Sequence, residues 1–156
     1  MQAWRIAKAE AISDFSGDGA ALYGGRWNHP EYPALYLGLS PAACALDAVI
    51  IAGHLPALPL KLMHLQLPAD PELYLEPPFA HLPAGWNSLP PDRPSMTFGS
   101  DWLARGEQLG LILPSATVEN AHCVLINPKH PACARIEVLK VTDFELGRPV
   151  RTAPYR

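Results

Sequence analysis

The sequence carries no CxxC pair, no run of Lys or Arg, and no apolar stretch approaching the ~20 residues of a membrane-spanning helix. Each absence removes a class of protein. The three cysteines, Cys44, Cys123 and Cys133, are odd in number and widely spaced, which points to reduced thiols in a cytoplasmic protein. Twelve basic against fifteen acidic residues leave a net charge of −3 without a basic cluster, so direct binding to nucleic acid is not expected. Trp4-Arg5 and Glu10 interrupt the start of the chain, and nothing there resembles a targeting segment. There is no P-loop, HExxH or GxSxG elbow. Gly17-Asp18-Gly19 is not a dinucleotide fingerprint, because Leu22 occupies the third glycine's place. The six histidines are scattered and read as surface or structural residues, with no ligand set for a metal.

Proline, by contrast, is abundant. Eighteen prolines, concentrated between Pro56 and Pro94, argue against a helical bundle and for short strands joined by stiff loops. Leu, Trp, Phe and Tyr interleave with them, so the stretch is expected to form an ordered wrap. With 49% hydrophobic residues over 156 positions, the chain can build a real core as one domain, 1–156.

Short strands are expected at 3–6, 34–37, 60–67, 73–75, 111–113, 122–126 and 136–141. In the stretch 60–67 the two-residue alternation shifts at His64. Ser40 followed by Pro41 is a helix start, and the helix runs from Pro41 to Ala52 with a stop near Gly53. A second helix is expected over 100–109, anchored by Trp102, Leu103 and Leu109, and residues 7–33 and 77–98 read as loop. Strands outnumber helices and do not alternate with them regularly, which favours an α+β fold over a doubly wound sheet.

Three places carry chemistry. Leu22-Tyr23-Gly24-Gly25-Arg26-Trp27-Asn28 brings a long cation and an indole to a pair of glycines. Gly admits positive φ and close approach, and the arginine fork suits carboxylate or phosphate oxygens. A tight turn with a packed Trp and a solvated Arg is the plainer reading. Asp47 is the sole charged residue of the 41–52 helix, and its same-face neighbours Ala43, Cys44, Ile50 and Ile51 offer no polar stripe. It is either an edge residue or a carboxylate facing a cleft. Ser115 ends a strand after Pro114, where it caps a turn or holds a ligand. Asn127-Pro128 starts a turn by default.

Taken as an ordered series, these segments resemble the RES family, the toxins of bacterial Xre–RES toxin–antitoxin pairs. The likeness runs from Trp4-Arg5-Ile6 through Tyr23-Gly24-Gly25-Arg26-Trp27-Asn28, the Tyr36 strand and the helix after Ser40. It continues through Gly85-Trp86, Gly99 with Trp102, Leu113-Pro114-Ser115-Ala116, Leu125-Ile126-Asn127-Pro128 and His130-Pro131. The family's arginine, glutamate and serine match Arg26, Asp47 and Ser115, with Asp47 one methylene shorter than the glutamate. Cys123 is a second departure, where relatives often carry asparagine.

The resemblance implies a fold like that of ADP-ribosyltransferase toxins. It also implies NAD⁺ as substrate, cleaved at the nicotinamide–ribose bond by hydrolysis or phosphorolysis, with no metal or cofactor. In that reading Arg26, Asp47 and Ser115 are catalytic and converge on one cleft, with Arg5 and Tyr36 on its walls. Arg26 and Arg5 hold phosphate, Tyr23 and Tyr36 border the nicotinamide ribose, and Asn127 contributes to binding. A cognate Xre-type helix-turn-helix antitoxin is the implied partner and makes the DNA contact, and a homodimer is plausible. Two alternatives share the pocket: a protein ADP-ribosyltransferase, and a catalytically weak antitoxin-binding module, which the shortened acid keeps open.

Overall fold

The computed structural model describes residues 1–52 and 59–145. Among these residues seven strands form one sheet: β1 (Gln2–Lys8), β2 (Leu35–Gly38), β3 (Leu60–Gln66), β4 (Tyr74–Leu75), β5 (Gly110–Pro114), β6 (His122–Ile126) and β7 (Glu137–Phe144). Their order is β4-β5-β6-β2-β1-β3-β7. Every neighbouring pair is antiparallel except β4 with β5. Three α-helices accompany the sheet: α1 (Asp18–Tyr23), α2 (Pro41–Ala52) and α3 (Arg93–Arg105). The α+β expectation is borne out.

Strand alternation gives the sheet two different faces. Leu35, Leu37, Val124, Ile126, Ala3, Met63 and Leu65 lie on one, in a core shared with Ile12 and Ala132. Tyr36, Leu111, Leu113, Cys123 and Leu125 lie on the other, where Trp27, Trp102 and Leu103 cover them. Fully burying a large apolar side chain contributes about 1.5–3 kcal/mol, so the two tryptophans clamp the second face firmly. Helix α2 also belongs to this second face. A Cβ at Gly38 would come within 2.8 Å of the Cys44 Cβ, and the Cys44 thiol donates to the Trp4 carbonyl at 3.5 Å. Only a residue without a side chain lets the helix sit so low on β2.

Helix α2 starts as expected, the Ala43 amide donating to Ser40 Oγ at 3.1 Å. Its anticipated stop near Gly53 lies outside the described residues. The irregularity at His64 is also present, as a register shift between His64 and Leu65 against β7. Two helical readings needed correction. Residues 18–23, read as loop, form α1, which Gly17 in the left-handed region precedes. The second helix is not 100–109 but Arg93–Arg105, seven residues earlier at its start. Asp92 caps it by accepting from the Arg93 amide at 2.7 Å, and Pro94 sits in the first turn, where a missing N–H costs nothing. Gly106, left-handed with φ 63°, stops it before Leu109. The wrap of prolines between β4 and α3 holds Trp86 against Trp27 at 6.0 Å between ring centroids.

Candidate functional site

The Gly-Gly-Arg-Trp-Asn loop follows α1 and doubles back on itself, Gly25 bridging to Asn28. Gly24 has φ 75°, and a Cβ at Gly25 would fall 2.6 Å from the Tyr36 hydroxyl. That hydroxyl accepts from the Trp27 amide at 3.0 Å and donates to Asn28 Oδ1 at 2.5 Å. Asn28 is fully buried, and its amide nitrogen donates to the carbonyls of Ala20, His29 and Tyr32. A strand residue, Tyr36, thus sets the loop that carries Arg26. Burial pushes the acidity of the Tyr36 phenol well away from ionisation, so the hydroxyl stays protonated and keeps both bonds.

Arg26 is half-buried. Its Nη1 donates to the carbonyls of Trp86 at 3.1 Å and Ser88 at 2.8 Å, fixing the guanidinium against the proline-rich wrap. Burial lowers the pKa of Arg26 from its ordinary value, and the charge of Asp47 opposes that effect. The loop arginine and the helix acid therefore share one electrostatic environment, to which Tyr36 and Cys123 also belong.

Asp47 stands on α2 three residues after Cys44, so it shares the face of the helix that packs on the sheet. Its Oδ1 accepts from Ser115 Oγ at 3.4 Å and from Thr117 Oγ1. Ser115 follows β5 and opens the loop to β6. Its own hydroxyl accepts from the amides of Thr117 at 3.2 Å and Val118 at 3.0 Å. The acid of the apolar helix is therefore neither an edge residue nor unpartnered. Cys123, next to this group on β6, holds its thiol with a pKa pushed up to about 12, chiefly by burial and then by the Asp47 charge.

The remaining expected residues fall elsewhere. Arg5 neighbours Trp4, the partner of Gly38, and so points to the opposite face, beside Met63. Its Nη1 donates to the carbonyls of Ile12 at 2.9 Å and Asp14 at 2.7 Å, and its guanidinium lies 5.9 Å from the Phe15 ring centroid. It pins the loop after β1 and is no wall of the Arg26 cleft. Asn127 follows β6 at the end away from Cys123. Buried at 3% exposure, it donates to the Leu103 carbonyl at 3.2 Å and accepts from the Lys129 amide at 3.1 Å. Both bonds lie within the fold. Tyr23 closes α1 with 82% of its surface exposed, next in sequence to the glycine pair.

Thr117 is the residue that sequence reading missed. A threonine in a loop carries no local signal, although its place two residues after a singled-out serine was visible. A depression of about 450 Å³ lined by Glu76, Ile112, Glu119 and His122 contains none of the expected site residues, and Ile112 faces away from Tyr36. Among the described residues no cluster of His, Cys, Asp and Glu suits a metal ion, and no helix is long and apolar enough to cross a membrane.

A family model described as RES domain matches residues 2–148. "Prs ADP-ribosylating toxin" of Sphingobium sp. (strain YBL2) is 34% identical over 149 residues, covering 90% of this chain and 91% of that protein. "Toxin Res" of Yersinia enterocolitica (serotype O:8 / biotype 1B) is 31% identical, covering 83% of this chain and 86% of that one. A chain in the crystal structure of the M. tuberculosis MbcT-MbcA toxin-antitoxin complex superposes with a TM-score of 0.71 over 92% of this chain and 84% of its own. At 22% identity that likeness speaks for the fold.

Proposed function

Because this chain belongs to the RES domain family, we propose that it is the toxin of a toxin–antitoxin pair and destroys NAD⁺ by cleaving the nicotinamide–ribose bond. What supports this reading is that the charge of Asp47, on a helix, reaches Arg26, on a loop, over the Tyr36 face of the sheet, and that Ser115 donates to the same carboxylate. An anchored arginine beside a hydroxyl-held carboxylate suits a substrate with phosphate next to a sugar that must become cationic.

In this mechanism Arg26 uses Nη1 to hold its place on the Trp86 and Ser88 carbonyls. Its other donors meet the pyrophosphate in the planar fork that lysine lacks. The Tyr36 ring and Tyr23 border the nicotinamide ribose. As the C–N bond breaks, its electron pair leaves with nicotinamide, which departs neutral from a cationic ring, and positive charge develops on the ribose. Asp47 stabilises that charge, with Ser115 beside it as a hydrogen-bond partner. Water then adds at the anomeric carbon and releases a proton, giving ADP-ribose. Phosphate in the same position gives the phosphorylated sugar. NAD⁺ is the substrate, and no further cofactor enters the scheme.

Transfer of ADP-ribose to a protein is the second reading, favoured by the name of the Sphingobium relative. A catalytically weak antitoxin-binding module is the third. One experiment separates them. Purified protein is incubated with NAD⁺, with and without phosphate, and nicotinamide and sugar products are followed by chromatography. Proteins are weighed by mass spectrometry for added ADP-ribose. Free nicotinamide with unmodified proteins is the expected result, and Asp47→Ala should lower its release by about 100-fold or more. Mass added to a protein would move the assignment to the transferase. No loss of NAD⁺ would leave the binding module. The proposed partner is a cytoplasmic helix-turn-helix antitoxin that covers the cleft and contacts DNA itself, consistent with the net charge of −3 on this chain.

A further inference from the structure

Asp47 has two hydroxyl neighbours, and they are not equivalent. Ser115 Oγ already accepts from two backbone amides, those of Thr117 and Val118, and lies 3.4 Å from the carboxylate, at the long end of a hydrogen bond. Its geometry serves the turn that leaves β5. Thr117 Oγ1 also donates to Asp47 Oδ1 and lies 3.2 Å from Ser115 Oγ. A hydroxyl has one proton to give. With Thr117 donating to Asp47, the Ser115 proton can go to Thr117 Oγ1 or to the acid, so only the Thr117 proton is committed to the carboxylate.

We propose that Thr117 is the positioning residue of this site: it fixes the side-chain angle of Asp47 and matches the pocket to an aspartate rather than a longer acid. This rests on the reading of Asp47 as the group that faces the ribose, and it adds a residue that does not touch the substrate. The physical reason is reach. An aspartate side chain has two torsions, and a single carboxylate oxygen tied to a β-branched hydroxyl, itself stiff about χ1, fixes both. A glutamate at 47 would push its carboxylate one C–C bond further along the same line, into Thr117. The neighbouring backbone cannot give way easily, because the amides of Thr117 and Val118 are committed to Ser115.

The test is a double-substitution cycle in the full chain with NAD⁺ as the probe. Thr117→Val keeps the shape and removes the donor. It should lower kcat about 10- to 100-fold, the scale of a misplaced catalytic group, with KM changed less than about threefold. Thr117→Ser restores the donor and should recover most of kcat. Asp47→Glu should be slower than the parent, and adding Thr117→Ala should partly rescue it, although Thr117→Ala alone impairs the parent. That reversal of sign is the signature of length matching.

A second readout needs no activity. Three-bond couplings of Asp47 should report one χ1 rotamer in the parent and in Thr117→Ser, and averaging in Thr117→Val, at unchanged thermal midpoint. Thr117→Val turning over like the parent, serine failing to rescue, or Asp47 keeping one rotamer without the hydroxyl would each overturn the proposal. If the parent chain leaves NAD⁺ intact, the proposed function fails, and the rotamer measurement still decides whether Thr117 positions the acid.

Discussion

Arg5 and Arg26 are held in the same way on opposite faces of the sheet. Each gives Nη1 to two backbone carbonyls, those of Ile12 and Asp14 for Arg5 and those of Trp86 and Ser88 for Arg26. Burial lowers the pKa of both. The difference is the face of the sheet. Arg5 shares the Met63 face, where a phenylalanine ring and the loop after β1 surround it. Arg26 comes down on the Tyr36 face, where the opposing charge belongs to Asp47. Each guanidinium feels a carboxylate, Asp14 of the adjoining loop for Arg5 and Asp47 of a distant helix for Arg26. An arginine's surroundings, rather than its residue type, decide whether it can serve a substrate.

The comparison breaks most sharply under paired truncation. Arg26→Ala should lower kcat/KM for NAD⁺ by about 2–3 kcal/mol, the scale of lost bonds to a charged group, and Lys at this position should recover little because it lacks the fork. Arg5→Ala should leave kcat/KM alone and lower the unfolding free energy by about 1–2 kcal/mol in urea titration. Steady-state rates and denaturation curves of both variants check the pair, and an Arg5 variant that binds NAD⁺ poorly would put Arg5 back in the site.

Asn127 sharpens the same contrast. Asn127→Ala removes the Leu103 carbonyl's donor and the Lys129 amide's acceptor. It should therefore cost about 1–3 kcal/mol of stability with no change in KM. A raised KM at unchanged stability would restore the binding role that its sequence position suggested.

The smallest effect is a pH dependence of the two half-buried thiols on the Tyr36 face. The pKa of Cys44 is pushed up to about 11 and that of Cys123 to about 12, in both cases first by burial, from an ordinary 9.0. The folded state thus holds these protons where the unfolded chain has begun to lose them. Their contribution is fully present below pH 9 and is lost as pH rises towards 11 and 12. Urea midpoints at pH 8 and pH 10 should show a fall that shrinks in a Cys44→Ala, Cys123→Ala variant. A thiol reagent at pH 8 should label both cysteines only on unfolding.

How much of this was legible depended on the range of the interaction. The helix start at Ser40-Pro41 was readable because a hydroxyl and a fixed φ act within one turn. Asp47 stood out because it had no polar neighbour within helical reach. Asp92 and Pro94 were equally local signals for α3, but the proline-rich surroundings masked them. Arg5 misled because alternation tells that it opposes Trp4 across the strand, without telling which face receives α2.

The sequence by itself determined the strands, the α+β character, the helix carrying a lone acid, and the family to which the ordered motifs belong. Only the tertiary structure decided which residues meet. Asp47 and Thr117 are 70 positions apart, and Arg26 meets Trp86 across 60. Those meetings follow from the placement of β6 between β5 and β2, with α2 seated on Gly38. Local patterns fix backbone angles and the side of a strand a residue takes. The partner across the sheet is fixed by strand order and register, which no short stretch of the chain contains.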